Sequence, residues 1–170
     1  MAIVASDLKI RLSGGSSNSD VNASLGGAKS STEVTDNSDN NLFDDVSGTE
    51  SNAGDTEYRC LYVHNGHGSL TAQNTRIYIS QDPAGSGDTW AIALDGVGLN
   101  ATAEGPVANE NTAPSGETFT SPTDYAGGLS MGNIPAGQHY AFWIRRTITA
   151  GTGAANAQDA RIKVDCDTAA

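Results

Sequence analysis

The chain has 170 residues, enough for one ordinary domain with an appendage and too few for two full domains. Apolar residues make up 37% and charged residues 17%, with 20 glycines, so the chain can build one modest core and must spend much of its length on turns and irregular segments. Lys and Arg total 9 against 20 Asp and Glu, a formal charge of −11 that argues against nucleic acid and anionic membrane as partners. No apolar run approaches the ~20 residues of a membrane-spanning helix.

Met1 to Leu12 does not read as a secretory signal, because Asp7 and Lys9 interrupt a short apolar run. Within it, Leu8, Ile10 and Leu12 alternate with Asp7, Lys9 and Arg11, which predicts a strand with one apolar face. Residues 13–56 are crowded with Gly, Ser, Asn, Asp and Thr and carry few large apolar side chains: Val21, Leu25, Val34, Leu42, Phe43 and Val46. On composition this is a linker or a disordered tract, yet the bulky Leu42-Phe43 pair predicts docking on a surface. Residues 1–56 are therefore expected to form an extended N-terminal arm, and 57–170 a separate β-domain.

From Tyr58 onward the pattern is that of strands. YRCLYVHN is rich in aromatic and β-branched residues and runs into an Asn65-Gly66 turn. Further strands are expected within Leu70 to Ser80, over TWAIALD (89–95) and HYAFWIRRTIT (139–149), and over ARIKVDC near the C-terminus. Glu117 to Thr120 and Leu129 to Met131 are short candidates inside a weakly periodic stretch, 96–137. Gly, Pro and Asn punctuation separates these runs, at QDPAGSGD and AGTGAANAQD for example. No sustained helical period occurs, so the expected fold is all-β: an antiparallel immunoglobulin-like sandwich of about seven strands preceded by the arm.

Charge is unevenly placed. No Lys or Arg lies between Arg76 and Arg145, an interval that holds Asp82, Asp88, Asp95, Glu104, Glu110, Glu117 and Asp124. One side or end of the domain is expected to be anionic, which serves solubility and could also orient docking. Cys60 and Cys166 do not make a disulfide framework and read as small core residues, a late staple between two strands being the alternative.

The motifs that usually carry chemistry are weak here. Gly128-Leu-Ser130-Met-Gly132 matches G-x-S-x-G, but no helical pattern follows it and only His139 comes later, so a β-turn is the reading. His64, His67 and His139 lack the supporting ligand spacing of a zinc site. Asp36, Asp39, Asp44 and Asp45 lie in a polar loop without the EF-hand template. The sequons at Asn22 and Asn100 and the Gly14-Gly15 and Gly26-Gly27 pairs read as chance. Arg145-Arg146 points to opposite faces of a strand, with stacking beside Trp143 or Tyr140 expected for one of them. No catalytic residue, cofactor site or metal site is expected.

Several stretches together resemble small structural proteins encoded by tailed bacteriophages. The most specific are LFDDVSG followed by GDTEYRC, and later GNIPAGQHYAFWIRRT, which also resembles the final strands of immunoglobulin-like adhesion modules. The resemblance covers nearly the whole chain and implies a non-catalytic virion component made in the host cytoplasm. On that basis the first expectation is a capsid decoration or cement protein. Its arm would dock on neighbouring virion subunits, the major capsid protein or tail proteins, through Leu8, Ile10, Leu12, Leu25, Leu42 and Phe43. Such an arm is expected to be cleaved by protease within 13–56 in the free protein. Alternatives are a tail, baseplate or fibre-base protein that forms a homo-oligomer by arm exchange, and a carbohydrate- or host-surface-binding sandwich using Trp90, Trp143 or Tyr125.

Overall fold

The computed structural model describes residues 2–83, 87–153 and 159–167. The punctuation segments QDPAGSGD and AGTGAANAQD therefore fall partly outside the described residues. The described residues form seven strands: β1 (Leu8–Leu12), β2 (Asp55–Asn65), β3 (Ala72–Gln81), β4 (Asp88–Leu99), β5 (Leu129–Ile134), β6 (His139–Ile148) and β7 (Arg161–Asp167). They form two antiparallel sheets, ordered β1-β2-β6-β4 and β5-β3-β7, which pack as the expected β-sandwich. The four-and-three strand count matches an immunoglobulin constant-type domain, but the order does not: β6 rather than β5 lies between β2 and β4 in the larger sheet, and β5 joins β3 in the smaller one. From β2 to β7 each successive strand lies in the other sheet, so every one of these connections crosses the sandwich.

The Asn65-Gly66 turn is one of those crossings and not a hairpin, because β2 and β3 do not pair. Asn65 is fully buried and explains why the chain can leave the sheet there. Its amide nitrogen donates to the carbonyls of Leu70 and Ile134, both at 2.8 Å, and its oxygen accepts from His67 N–H at 3.0 Å. One side chain thus satisfies backbone groups that a hairpin ladder would have paired.

Alternation sets the core. Leu61 and Val63 of β2, Ile92 of β4, and Phe142 and Ile144 of β6 face Ile77 and Ile79 of β3 and Met131 and Ile134 of β5. The opposite face of the larger sheet is buried as well: Tyr58, Cys60, Tyr62, Ala141 and Trp143 form a second cluster under Ala103, Val107 and Phe119. Loops, not strands, cover this face. Tyr62 Oη donates to the Gly27 carbonyl at 2.6 Å and accepts from Ala103 N–H at 2.7 Å, tying two covering segments to β2. Cys60 lies in this outer cluster whereas Cys166 of β7 packs on the main core, so the two thiols are free and no staple joins them.

The N-terminal arm is not an arm. β1 pairs along its length with β2, from Leu8 opposite Asn65 to Leu12 opposite Leu61. Its other edge is filled by the leader's own backbone: Ser30 N–H donates to Leu12 O (2.8 Å), Leu12 N–H to Thr32 O (3.1 Å) and Val34 N–H to Ile10 O (2.8 Å). Where β1 ends, leader and loop carbonyls take over as partners of β2, with Cys60 N–H donating to Ser24 O and Tyr58 N–H to Glu110 O, both at 2.7 Å. Val34, Leu42 and Phe43 are buried in the main core. The boundary expected at residue 56 is absent, since one core draws on both sides of it. Residues 48–53 form a single short helix, α1 (Gly48–Ala53), started by a reciprocal cap in which Ser47 Oγ accepts from Glu50 N–H and the Glu50 carboxylate accepts from Ser47 N–H.

Replacing Phe43 with Ala removes a buried aromatic and should destabilise the fold by about 3–5 kcal/mol in chemical denaturation. Limited proteolysis checks the same point locally: the wild type should resist cleavage within 13–47, and the variant should be cut there first.

Candidate functional site

Toward one end of the larger sheet the core-facing positions turn from apolar to charged. On β2, Glu57 and Arg59 continue the inward series of Leu61 and Val63, and on β6 Arg146 continues that of Phe142 and Ile144. All three are buried. Phe43 inserts between the two arginines, with the Arg59 guanidinium 5.1 Å and the Arg146 guanidinium 4.8 Å from its ring centre. Trp90 meets the same ring edge-on at 5.1 Å.

The hydrogen-bond set around this ring is dense. Arg146 Nε donates to Glu57 Oε2 at 2.6 Å, and its Nη2 lies 2.5 Å from the same oxygen. Arg146 Nη1 donates to the Asp44 carbonyl at 2.6 Å. Arg59 donates to Tyr58 O (3.1 Å), Asn22 Oδ1 (2.8 Å) and Glu110 Oε2 (2.6 Å). Burial pushes the Glu57 carboxyl above its ordinary value, against the pull of Arg146. Chemically this is a lock: it holds the leader, β2, β6 and the 100–128 connection to one another, and each charged group in it has at least one protein partner, Arg59 Nε being the buried atom left without one.

The other sequence-level candidates fall in separate places. Ser130 is exposed on β5, opposite Arg76 of β3, and does not sit on a strand-to-helix turn. His67 is a turn acceptor, its Nδ1 receiving Ser69 N–H at 3.1 Å and Leu70 N–H at 2.9 Å. The three histidines do not converge on a common point among the described residues. Neither do Asp36, Asp39, Asp44 and Asp45, of which Asp45 accepts from Asn40 at 3.1 Å. The carboxylates that do approach one another are Glu50, Asp55 and Glu57. Each is already an acceptor: from Ser47 N–H, from Thr56 N–H and Asn111, and from Arg146.

The docking residues expected from the sequence are spent within the chain. Leu12, Leu42 and Phe43 are buried, and Leu8 and Ile10 pack half-covered against the core. Leu25, also half-covered, lines a shallow depression of about 400 Å³ with Asn22, Asp44 and Glu110. Trp143 is fully buried and donates to Asp95 Oδ2 at 3.0 Å, and Trp90 is 9% exposed, so neither offers a sugar-stacking platform. Tyr125 remains half-exposed under the Arg76 guanidinium. Arg145 and Arg146 do face opposite sides, and both stack, on Phe119 and Phe43 respectively.

Sequence reasoning did not single out a Lys-His-His row on the outer face of the larger sheet. Lys9, His64 and His139 lie side by side across β1, β2 and β6 in register. Tyr62 and Arg11 occupy the next row on that face, and the Tyr62 and His139 rings meet edge-on at 5.1 Å. Burial, with Lys29, Arg11 and His139 nearby, pushes His64 down to about 4 from its ordinary 6.5. His139 is lowered for the same first reason, with Lys29 adding to it. The period-two spacing of Lys9 and Arg11 was visible in the sequence, but the lateral neighbours were not. Comparison with known protein families, curated proteins and solved structures returns no match.

The depressed His64 value has a definite sign. Above pH 6.5 the ring is neutral whether the chain is folded or not, and its contribution is fully present. As pH falls toward 4 the unfolded chain takes up the proton first and stability is lost. Between pH 6.5 and 4 the wild type should lose on the order of 1 kcal/mol more than a His64→Gln variant, solvent screening included, as read by denaturation midpoints.

Proposed function

We propose that this chain is a structural component of a bacteriophage particle, a capsid decoration or cement protein that docks as a prefolded block rather than through a flexible leader. One observation carries the reading. The three stretches in which the sequence resembles phage structural proteins meet at a single place. LFDDVSG supplies Phe43 and Asp44, GDTEYRC supplies Glu57 and Arg59, and the end of GNIPAGQHYAFWIRRT supplies Arg146. The most specific parts of the resemblance thus include residues that make the body rigid, and rigidity serves a cement: a stiff block loses little conformational entropy when it binds.

In this reading the partners are other virion proteins, the major capsid protein or tail proteins, together with further copies of the chain. The location is the virion, and no catalytic step is assigned to any residue. The tail, baseplate or fibre base is the second location compatible with the same body. The carbohydrate-binding alternative is the weaker one, since burial of Trp90 and Trp143 leaves it only Tyr125, half-exposed under Arg76.

Quantitative mass spectrometry of purified particles of the encoding phage tests the proposal. Copies in proportion to the major capsid protein are expected for a decoration protein. A few copies per particle assign it to the tail instead, and absence from the particle overturns the virion reading.

A further inference from the structure

A sandwich of two open sheets has four edges, and an uncovered edge is a template for another strand. Two are closed here and a third is irregular. The β1 edge is paired with residues 30–34 of the leader. The β4 edge is met by Thr120, which exchanges both backbone hydrogen bonds with Ile92 (2.8 and 2.9 Å), by Asp82 on Trp90 N–H and by Ser121 on Trp90 O. The β5 edge is irregular: its pairing with β3 shifts register twice, and Gly132 has a positive φ of 68°.

The fourth edge, β7, is covered by no backbone of the described residues, and the two register shifts of its pairing with β3 lie at its ends. Among the described residues it pairs only with β3, and no loop backbone bonds its outer side. Its centre is regular, Ile162 to Asp165 running against Ile79 to Arg76 except for the shifts at either end. No residue of β7 is buried, and its inward side chains Ile162, Val164 and Cys166 are only half-covered. The outward series is Arg161, Lys163, Asp165 and Asp167.

That series is its own complement. We propose that β7 is a homodimerisation edge, pairing antiparallel with β7 of a second copy about a two-fold axis at Val164. The register sets Lys163 opposite Asp165 of the second copy and Arg161 opposite Asp167 of the second copy, each contact occurring twice by symmetry. Val164 meets Val164 of the second copy, and Ile162 meets Cys166 of the second copy, so the half-covered apolar row gains a neighbour. Competing registers are poorer. Centring the axis on Lys163 or Asp165 sets that residue against its own copy and halves the number of opposite-charge contacts, and a shift of one residue sets the polar face of one copy against the apolar face of the other. In the monomer Lys163 Nζ already lies 3.0 Å from Asp165 Oδ2, and Tyr78 Oη donates to the same oxygen at 2.6 Å, so the charges are held on the exposed face where the second copy would meet them.

Sedimentation of the full chain tests this with charge swaps, circular dichroism confirming that each variant is folded. The wild type should sediment as a dimer. Lys163→Asp and Asp165→Lys should each weaken the dimer by about tenfold or more, because each sets like charges opposite one another at two symmetric positions. Mixing the two single variants should restore a one-to-one heterodimer, since the acidic pair at positions 163 and 165 of one variant then faces the basic pair of the other. The double variant should dimerise like the wild type. A monomeric wild type, single variants that dimerise unchanged, or a mixture that stays monomeric would each overturn the proposal.

Discussion

Phe43, held between two buried guanidiniums, is the contact on which the rest of the structure depends. Arg59 and Arg146 occupy inward strand positions where the sandwich would otherwise continue as hydrocarbon, and only Glu57 among their carboxylate partners is fully inside. Taking two cations out of water is costly, and leaving one uncompensated costs about 3–5 kcal/mol. Their positions are tolerable because the leader brings what the strands lack: an aromatic face for both cations, the Asp44 carbonyl for Arg146 and the Asn22 oxygen for Arg59. The 100–128 connection adds Glu110. Without these segments the β-body would expose a charged, half-dry end to its own core.

The same logic explains why a segment so poor in apolar residues is ordered. Its few anchors, Val34, Leu42 and Phe43, do not balance the entropy of fixing residues 13–47. The remainder comes from backbone bonds to β1 and β2, from Asn18 bridging Ser13 O and Asp20 O, and from Ser30 binding Asn18 O. These polar side chains act as local staples, the role for which Asn, Asp and Ser are suited in turns.

That distinction also marks what could be read in the sequence. The strands were legible because alternation is imposed by a half-buried sheet: YRCLYVHN, TWAIALD and HYAFWIRRTIT all lie within strands or run to their ends. The leader was misread because its order has no period. Composition alone cannot separate a disordered Gly/Ser/Asn tract from one pinned by Asn and Ser to another part of the chain. A usable signal was present in Arg59 and Arg146, which sit in phase with Leu61 and with Phe142 and Ile144, so that charges at core positions implied missing partners. The strand order was not legible, because every connection after β2 crosses between sheets and hairpin rules do not apply. The row of Lys9, His64 and His139 depends on that order and was hidden with it.

The central claim is that the leader and the sandwich are one cooperative unit. Native-state hydrogen exchange tests it most directly, by comparing the amides of Leu12, Ser30 and Val34 with those of the β2–β6 ladder. The account predicts that both groups are protected and that increasing denaturant brings them to exchange through the same global opening. Leader amides exchanging at the rate of a free peptide while the β2–β6 ladder stays protected would contradict it.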